Sequence, residues 1–310
     1  RKGLFQTMTV KAIDRVNLSL KRGETLALVG ESGSGKTTLG RLTLRLLQPT
    51  SGRIFFDGHD ITDVGEDELK DFRRHSQMVF QDPYSSIDPF LNIYQILEEP
   101  LLIHRLGGEG ERREMVYHAL EVVKLTPVEE FVKKYPHMLS GGQRQRVGIA
   151  RVLILNPYYV VADEPVSMID ASSRVEILYL LRDLQKRYGI TFLYITHDIA
   201  TAKYFSDRIA VMYLGRIVEL APSLQLIREP LHPYTIALIE SVPEPDPSNR
   251  LKERRVIPGE PPSPIHIPSG CRFHPRCPYF MKGVCDTVDP QLEEVRPRHC
   301  VGCHLYSAGA

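Results

Sequence analysis

A glycine-rich loop that ends in a lysine and two threonines is the segment of this chain best suited to bind phosphate. The residues GESGSGKTT lie directly between an apolar run, 25–29, and a helix-like segment, 39–47. Glycines let backbone N–H groups approach phosphate oxygens, a helix start favours anions, Lys36 adds a positive charge and Thr37 a hydroxyl for Mg²⁺. A turn that only connects a strand to a helix would not explain the lysine and the threonines. The predicted nucleotide-binding residues are Gly30, Glu31, Ser32, Gly33, Ser34, Gly35, Lys36, Thr37 and Thr38.

Two adjacent carboxylates follow a second apolar run. Residues 158–162 are typical of a strand buried on both faces, and Asp163 and Glu164 follow at its carboxyl end. Because successive strand side chains point to opposite faces, we expect Asp163 to face Mg²⁺ and Glu164 to face an attacking water. The alternative is a pair of solvated acids at the end of a strand.

A serine and two glycines precede a long helix-like segment that contains several arginines. Ser140, Gly141 and Gly142 would present a hydroxyl and free N–H groups at the N-terminus of this helix, which is an arrangement that binds anions. The same residues also form an ordinary helix cap. A cap and a ligand site can coincide here.

The order of these segments resembles the ATP-binding subunits of ABC transporters. LSGGQRQR, YYVVADE, SMID and LYITHD follow the glycine loop in that order, and the resemblance covers roughly residues 10–240. It implies an α/β fold with a RecA-like P-loop NTPase core and an inserted helical subdomain at about 91–155. The alternation of strand and helix patterns in the sequence is consistent with this fold.

The resemblance also implies a role for further residues. It makes Lys36 and Glu164 catalytic together with His197, which would contact the γ-phosphate and the water, and with Gln81, which would touch Mg²⁺ beside Thr37 and Asp163. Phe5 would stack on adenine. Two such domains would pack head to tail, so that one subunit contacts the nucleotide of the other through Ser140, Gly141, Gly142, Gln143 and Asp170.

The composition changes near residue 222, from which point the chain contains 15 of its 23 prolines. The motifs HPYT and GCRFHPRCP resemble the C-terminal extension of dipeptide and oligopeptide importer ATPases, over residues 229–305. We therefore predict an ABC ATPase domain at 1–240 and a proline-rich, cysteine-containing extension at 241–310.

All five cysteines lie in this extension. Structural disulfides would be unexpected in a subunit that faces the cytoplasm, which favours a metal. The resemblance implies a four-iron, four-sulfur (4Fe-4S) cluster held by Cys271, Cys277, Cys285 and Cys303, with Cys300 as a substitute ligand. A zinc site and a set of reduced thiols without metal are the alternatives.

The formal net charge of +1 gives no indication of a nucleic-acid-binding surface, and the longest apolar stretch is interrupted by polar residues and proline. The resemblance implies an ATPase that energises the import of an oligopeptide, dipeptide or oligosaccharide from the cytoplasmic face of the cell membrane. Its partners would be a second ABC ATPase subunit in a heterodimer, two membrane permease subunits and an extracellular solute-binding protein. The alternative function is a soluble ABC ATPase that acts on nucleic acid or ribosomes.

Overall fold

The computed structural model describes residues 10–82, 87–242 and 259–306 of the chain. They belong to two compact units. The first unit consists of Arg1–Ser19, Thr25–Leu39 and Ile195–Ala310, and the second of Leu20–Glu24 and Gly40–Tyr194. Phe5 lies outside the described residues.

The strands follow one another through both units. They are β1 (Thr25–Val29), β2 (Phe55–Phe56), β3 (His59–Asp60), β4 (Ser76–Val79), β5 (Tyr159–Asp163), β6 (Thr191–Thr196), β7 (Arg208–Tyr213), β8 (Arg216–Pro222), β9 (Glu293–Arg296) and β10 (His299–Val301).

The α-helices alternate with these strands, and short 3-10 helices span Pro136–Met138 and His274–Arg276. The α-helices are α1 (Lys36–Thr43), α2 (Glu66–His75), α3 (Ile93–Ile103), α4 (Glu109–Val122), α5 (Val128–Phe131), α6 (Gly141–Leu153), α7 (Ala171–Tyr188), α8 (Ile199–Phe205), α9 (Ser223–Arg228) and α10 (Pro233–Glu240).

The first unit is built on β1, which is buried along its whole length and pairs in parallel with β7. β7 and β8 form an antiparallel pair on either side of a turn at Leu214 and Gly215. Both turn residues have positive φ, which suits a tight reversal. The extension then adds β10 to the free edge of β8, and β9 to β10, both antiparallel.

The second unit combines the parallel pair β4 and β5 with a helical region. Its apolar core includes α3 and α6, each of which buries several side chains. The described part of 91–155 is helical and irregular, in agreement with the predicted helical character of that segment. α7 begins at the cap Asp170 and ends at Gly189, whose φ of 65° lets the chain turn away from the helix.

No α-helix of the described segments combines the length and the apolar character that a membrane crossing requires.

Candidate functional site

The glycine loop connects β1 to α1 in the first unit, so the predicted order of strand, loop and helix is confirmed. Close backbone contacts require glycine at two of its positions. A Cβ at Gly30 would lie 2.2 Å from the carbonyl oxygen of Met212, and one at Gly35 would lie 2.4 Å from that of Ala12. Gly35 also has a φ of 104°, which side-chain-bearing residues rarely adopt. The path of the loop therefore depends on contacts that only glycine permits.

Lys36 lies against the inside of the loop and is almost fully buried. Its Nζ donates to the carbonyl oxygens of Gly30 at 2.7 Å and Glu31 at 2.9 Å. Thr37 and Thr38 follow in the first turn of α1. A confined positive charge at a helix N-terminus is well placed to bind an anion.

The remaining loop residues differ in exposure. Ser32 and Gly33 are exposed, and the φ of Gly33 is 79°. Ser34 is buried, and its hydroxyl has no hydrogen-bond partner among the described residues. A buried hydroxyl without a partner is costly, so this atom is suited to a polar ligand group.

Glu31 makes two contacts that the sequence did not reveal. Its backbone N–H donates to the hydroxyl of Tyr234 at 2.8 Å, and its carboxylate accepts from Arg276 at 2.8 and 3.1 Å. Tyr234 and Arg276 belong to the HPYT and GCRFHPRCP motifs of the segment 229–305. They are separated from Glu31 by more than 200 positions, so no local pattern could have indicated the pairing.

The two carboxylates lie in the second unit. Asp163 is the buried last residue of β5. Glu164 follows it with a φ of 45°, a left-handed conformation that is strained for a residue with a side chain. The strand therefore ends before Glu164, and the rule of alternating strand faces, from which we predicted its direction, does not apply to it.

Gln81 and Glu164 are brought together in the second unit. The amide Nε2 of Gln81 donates to Glu164 Oε2 at 3.0 Å. Gln81 is exposed and follows β4, which pairs in parallel with β5. The carboxyl ends of parallel strands meet at one edge of a sheet, which is why these two residues lie close together.

Ser140 caps α6. Its hydroxyl oxygen accepts from the N–H of Gln143 at 3.2 Å, and the Gln143 side chain accepts from the N–H of Ser140 at 3.1 Å. The hydroxyl proton is not used in this capping box, so Ser140 can still donate to an anion. Gly142 is buried, and a Cβ there would lie 2.8 Å from the hydroxyl oxygen of Ser173.

Asp170 caps α7 and accepts hydrogen bonds from two serines of its own chain. Its carboxylate accepts from the hydroxyl of Ser172 at 2.6 Å and from the N–H of Ser173 at 2.9 Å. These hydrogen bonds lower the pKa of Asp170 to about 2, with the Ser172 hydroxyl as the largest cause.

His197 lies in the first unit, directly after β6, and is exposed. The next residue, Asp198, caps α8 by accepting from the N–H of Ala200 at 2.8 Å. His197 therefore stands between the end of β6 and the start of α8.

Four of the five cysteines line one small cavity in the first unit. They are Cys271, Cys277, Cys285 and Cys303. Cys300 lies in β10, opposite Leu220 of β8. All five are unbridged, and no group of three or more His, Cys, Asp or Glu residues within the described segments has the arrangement needed to hold a single metal ion.

Burial keeps the thiols of Cys271, Cys277 and Cys303 protonated. It raises the pKa of Cys271 to about 12 and that of Cys303 to about 11, and it also raises the pKa of Cys277. Each of these three sulfurs accepts a hydrogen bond from the backbone N–H two residues further along the chain, at Phe273, Leu305 and Tyr279 respectively. Such hydrogen bonds favour the thiolate and so partly oppose the effect of burial.

A buried polar network that was not predicted lies beside this cavity. Glu219 of β8 is fully buried and accepts from the N–H groups of Leu231 at 2.8 Å and His232 at 3.0 Å. His299 of β10 contacts the same carboxylate through Nε2 at 2.7 Å. His232 itself caps α10, and burial lowers its pKa to about 4.

Comparison with known proteins finds a matching family model for each of two parts of the chain. Residues 13–167 match the family model described as ABC transporter, and residues 218–285 match the model described as oligopeptide/dipeptide transporter, C-terminal region. The oligopeptide transport ATP-binding protein AppF of Bacillus subtilis is 48% identical over 99% of this chain and 94% of its own length. A relative from Brucella ovis, whose name assigns it to peptide import, is 49% identical over 96% of this chain and 93% of its own length.

Solved structures support the same fold. A dimeric ATP-binding cassette in a post-hydrolysis state with ADP and Pi is 35% identical, with a TM-score of 0.62, and the match covers 68% of this chain and 90% of that one. The cbiO1 protein of Clostridium perfringens, part of an ABC transporter complex, is 34% identical with a TM-score of 0.64 over 70% and 84% of the two chains.

Proposed function

Since the chain belongs to the family of ABC transporter ATP-binding proteins, we propose that it hydrolyses ATP to energise the import of peptides across the cytoplasmic membrane. The observation that carries this proposal is the match of residues 218–285 to the C-terminal region of oligopeptide and dipeptide transporters. Relatives that share this region and nearly the whole chain are named for peptide or oligopeptide transport. An ATPase that acts on nucleic acid or ribosomes is disfavoured because that region would have no role in it.

Lys36 and the loop N–H groups hold the phosphates in this proposal. In the structure the ammonium group of Lys36 donates hydrogen bonds to the carbonyl oxygens of Gly30 and Glu31. With nucleotide bound, this group would compensate negative charge on the β- and γ-phosphoryl groups. The buried Ser34 hydroxyl is available to bind a phosphate oxygen. The close contact of Gly30 with the backbone of Met212 keeps the loop in place. His197 would stabilise charge on the γ-phosphoryl oxygens.

The donors available for Mg²⁺ are hard oxygen atoms, which suit this ion. They are the hydroxyl of Thr37 at the start of α1, the buried carboxylate of Asp163 and the amide oxygen of Gln81. When bound, Mg²⁺ neutralises phosphate charge and orients the phosphoryl group.

Glu164 is the proposed general base. Its left-handed backbone and the hydrogen bond from Gln81 fix a carboxylate at a strand end, where it can orient a water and take its proton. Because Gln81 donates to this carboxylate, a shift of Gln81 changes the position of the base. Movement of the Gln81 segment would thereby connect hydrolysis to a partner protein.

The second subunit in this proposal contributes to hydrolysis directly. Ser140, Gly141, Gly142 and Gln143 of one subunit, with Asp170, contact the nucleotide held by the other. The free hydroxyl proton of Ser140 and the first-turn N–H groups of α6 supply the donors. We further propose a heterodimer, bound from the cytoplasmic side to two permease subunits that receive solute from an extracellular binding protein.

Substitution of Glu164 by glutamine tests the catalytic assignment. The amide keeps the hydrogen bond from Gln81 in reach but cannot accept a proton, so we expect ATP binding to persist and hydrolysis to fall at least about 100-fold. Glu176→Gln, at an exposed carboxylate of α7, is the matched control and should hydrolyse normally. Steady-state phosphate release and binding of a fluorescent ATP analogue separate the two effects. Undiminished turnover of Glu164→Gln would contradict the assignment.

We also propose that the four cysteines around the cavity hold a 4Fe-4S cluster. Support comes from their common cavity, from the three N–H groups directed at their sulfurs, and from the separate position of Cys300. Because burial keeps the free thiols of Cys271, Cys277 and Cys303 protonated, metal binding must release protons, and retention of metal should weaken as the pH falls.

Anaerobic purification with iron, zinc and acid-labile sulfide analysis tests the cluster. We expect visible absorbance and iron in the wild type, their loss in Cys277→Ser, and their retention in the matched control Cys300→Ser. A colourless protein with stoichiometric zinc would refute the cluster. Retention of iron by Cys277→Ser together with its loss from Cys300→Ser would refute the ligand set.

A further inference from the structure

Glu31, the second residue of the phosphate-binding loop, is held from the side by the extension. The guanidinium group of Arg276 donates two hydrogen bonds to its carboxylate, from NH1 to Oε2 at 2.8 Å and from NH2 to Oε1 at 3.1 Å. The Arg276 side chain is only 6% exposed and that of Glu31 is 26% exposed. A two-pronged contact of this kind fixes orientation as well as charge.

The backbone of the same residue is also held. The N–H of Glu31 donates to the hydroxyl of Tyr234, whose ring is fully buried. Tyr234 packs against Tyr213 and Phe273, with ring centroids 4.8 and 5.4 Å apart. In the structure this N–H is therefore bound to the Tyr234 side chain of α10.

The segment that carries Arg276 is anchored near the loop at a second point. Arg272, four residues earlier, donates to the carbonyl oxygen of Leu214 and forms an ion pair with Asp14. Gly215, the next residue in that turn, donates its N–H to the carbonyl oxygen of Ser34 in the loop at 2.8 Å. Both arginines lie within the stretch that runs from Cys271 to Cys277.

The negative charge of Glu31 explains why Arg276 is paired with it. A carboxylate in a loop that binds phosphate repels the ligand, and Arg276 compensates this charge without occupying the loop interior, where Lys36 lies. If Arg276 were lost, the carboxylate would be left uncompensated next to the phosphates. If the Glu31 carboxylate were removed together with Arg276, the repulsion of the phosphates would also disappear.

We propose that Arg276 and Tyr234 are positioning residues for nucleotide binding, and that the order of the cysteine segment is thereby linked to occupancy of the phosphate-binding loop. The proposal rests on the proposed function, because it assumes that the loop binds ATP. Linkage is reciprocal, so a nucleotide that favours the held loop must also stabilise the segment that holds it.

A double-mutant cycle on nucleotide affinity tests the positioning role. With a fluorescent ATP analogue and Mg²⁺, we expect Arg276→Gln to weaken binding about tenfold, which corresponds to the loss of a hydrogen-bonded charge pair. The double variant Glu31→Gln/Arg276→Gln should recover most of the loss, because the uncompensated carboxylate is then absent. Arg276→Lys, which keeps the charge without the two-pronged contact, should be intermediate.

The matched control is Arg296→Gln, in the same extension but in an exposed ion pair with Glu229, and it should bind nucleotide normally. Tyr234→Phe removes a single hydroxyl and should weaken binding by a few fold without changing the charge. Equal affinity of wild type and Arg276→Gln, or a double variant as impaired as Arg276→Gln, would refute the proposal. If Arg276→Gln does not fold, Arg276→Lys and Tyr234→Phe still decide: wild-type affinity in both variants would refute the proposal.

The reciprocal effect is measured at the cysteines. We expect a non-hydrolysable ATP analogue to slow the reaction of Cys271 and Cys277 with a thiol reagent several-fold in metal-free wild type and to have little effect in Arg276→Gln. Cys300 lies in β10, outside the segment from Cys271 to Cys277, and serves as the control for general changes in labelling rate. Unchanged labelling of Cys271 and Cys277 in nucleotide-saturated wild type would refute the linkage. A wild type that binds no nucleotide at all would refute the proposed function instead, so the two failures are distinguishable.

Discussion

Substitution of Gly142 by alanine offers a test of the close approach between α6 and α7. A Cβ there would lie 2.8 Å from the hydroxyl oxygen and 2.9 Å from the Cβ of Ser173, distances that real Cβ atoms do not tolerate. Ser173 cannot easily move, because its N–H donates to the cap Asp170 at 2.9 Å. The two helix starts must therefore separate, at a cost of about 1–3 kcal/mol typical of overpacking.

Gly148→Ala in the same helix is the matched control. A Cβ at Gly148 has open space, so the only effect is the gain in helix propensity, about 1 kcal/mol. Both variants receive this gain, and the difference between them isolates the steric cost. We expect Gly148→Ala to be more stable than Gly142→Ala by about 1–3 kcal/mol.

Urea and thermal unfolding followed by circular dichroism measure this difference. It corresponds to a shift of about 2–4 °C per kcal/mol in the unfolding midpoint of a unit of this size. Adding Ser173→Gly to each variant should remove most of the difference, because the clashing atoms are gone. Equal stability of the two alanine variants, or no rescue by Ser173→Gly, would refute the reasoning.

Three further predictions concern other sites. Gly30→Ala should abolish nucleotide binding in a titration with a fluorescent ATP analogue, because its Cβ would collide with a backbone oxygen, that of Met212, at 2.2 Å; normal affinity would contradict this. Glu219→Ala should lower the free energy of unfolding by about 3–5 kcal/mol in urea titrations, since it leaves two buried N–H groups and His299 without their acceptor; a loss below about 1 kcal/mol would contradict the role of the network. The Asp170 carboxyl, whose folded pKa is depressed, should cap α7 fully above pH 3.8 and lose this contribution as the pH falls through about 2; an NMR titration with a midpoint near 3.8 would contradict it.

Local patterns predicted the elements that bear the nucleotide motifs. The strand before Gly30, the helix after Lys36 and the strand before Asp163 all follow from short runs of apolar residues and glycines. Their family resemblance is confirmed by matches over most of the chain. The functional roles of the motif residues stay predictions.

Contacts between distant segments could not be predicted in this way. Arg276 and Glu31 are 245 positions apart, and nothing in either local sequence specifies the partner. Glu219 reads as one polar residue in an apolar strand, and only the fold shows that His299 and two N–H groups surround it. The left-handed backbone of Glu164 was also missed, because Pro165 follows it and a residue before proline is expected to be extended.

The pairing of β10 with β8 has a consequence for protein engineering. A chain shortened to end before residue 299 would expose the hydrogen-bonding groups of β8 along that edge and remove the imidazole that faces Glu219. Unpaired strand edges recruit strands from other molecules, so such a shortened protein should aggregate even with every nucleotide motif intact. Deletion of the cysteine-bearing region is therefore a poor way to study the ATPase alone, and single substitutions are the safer tool.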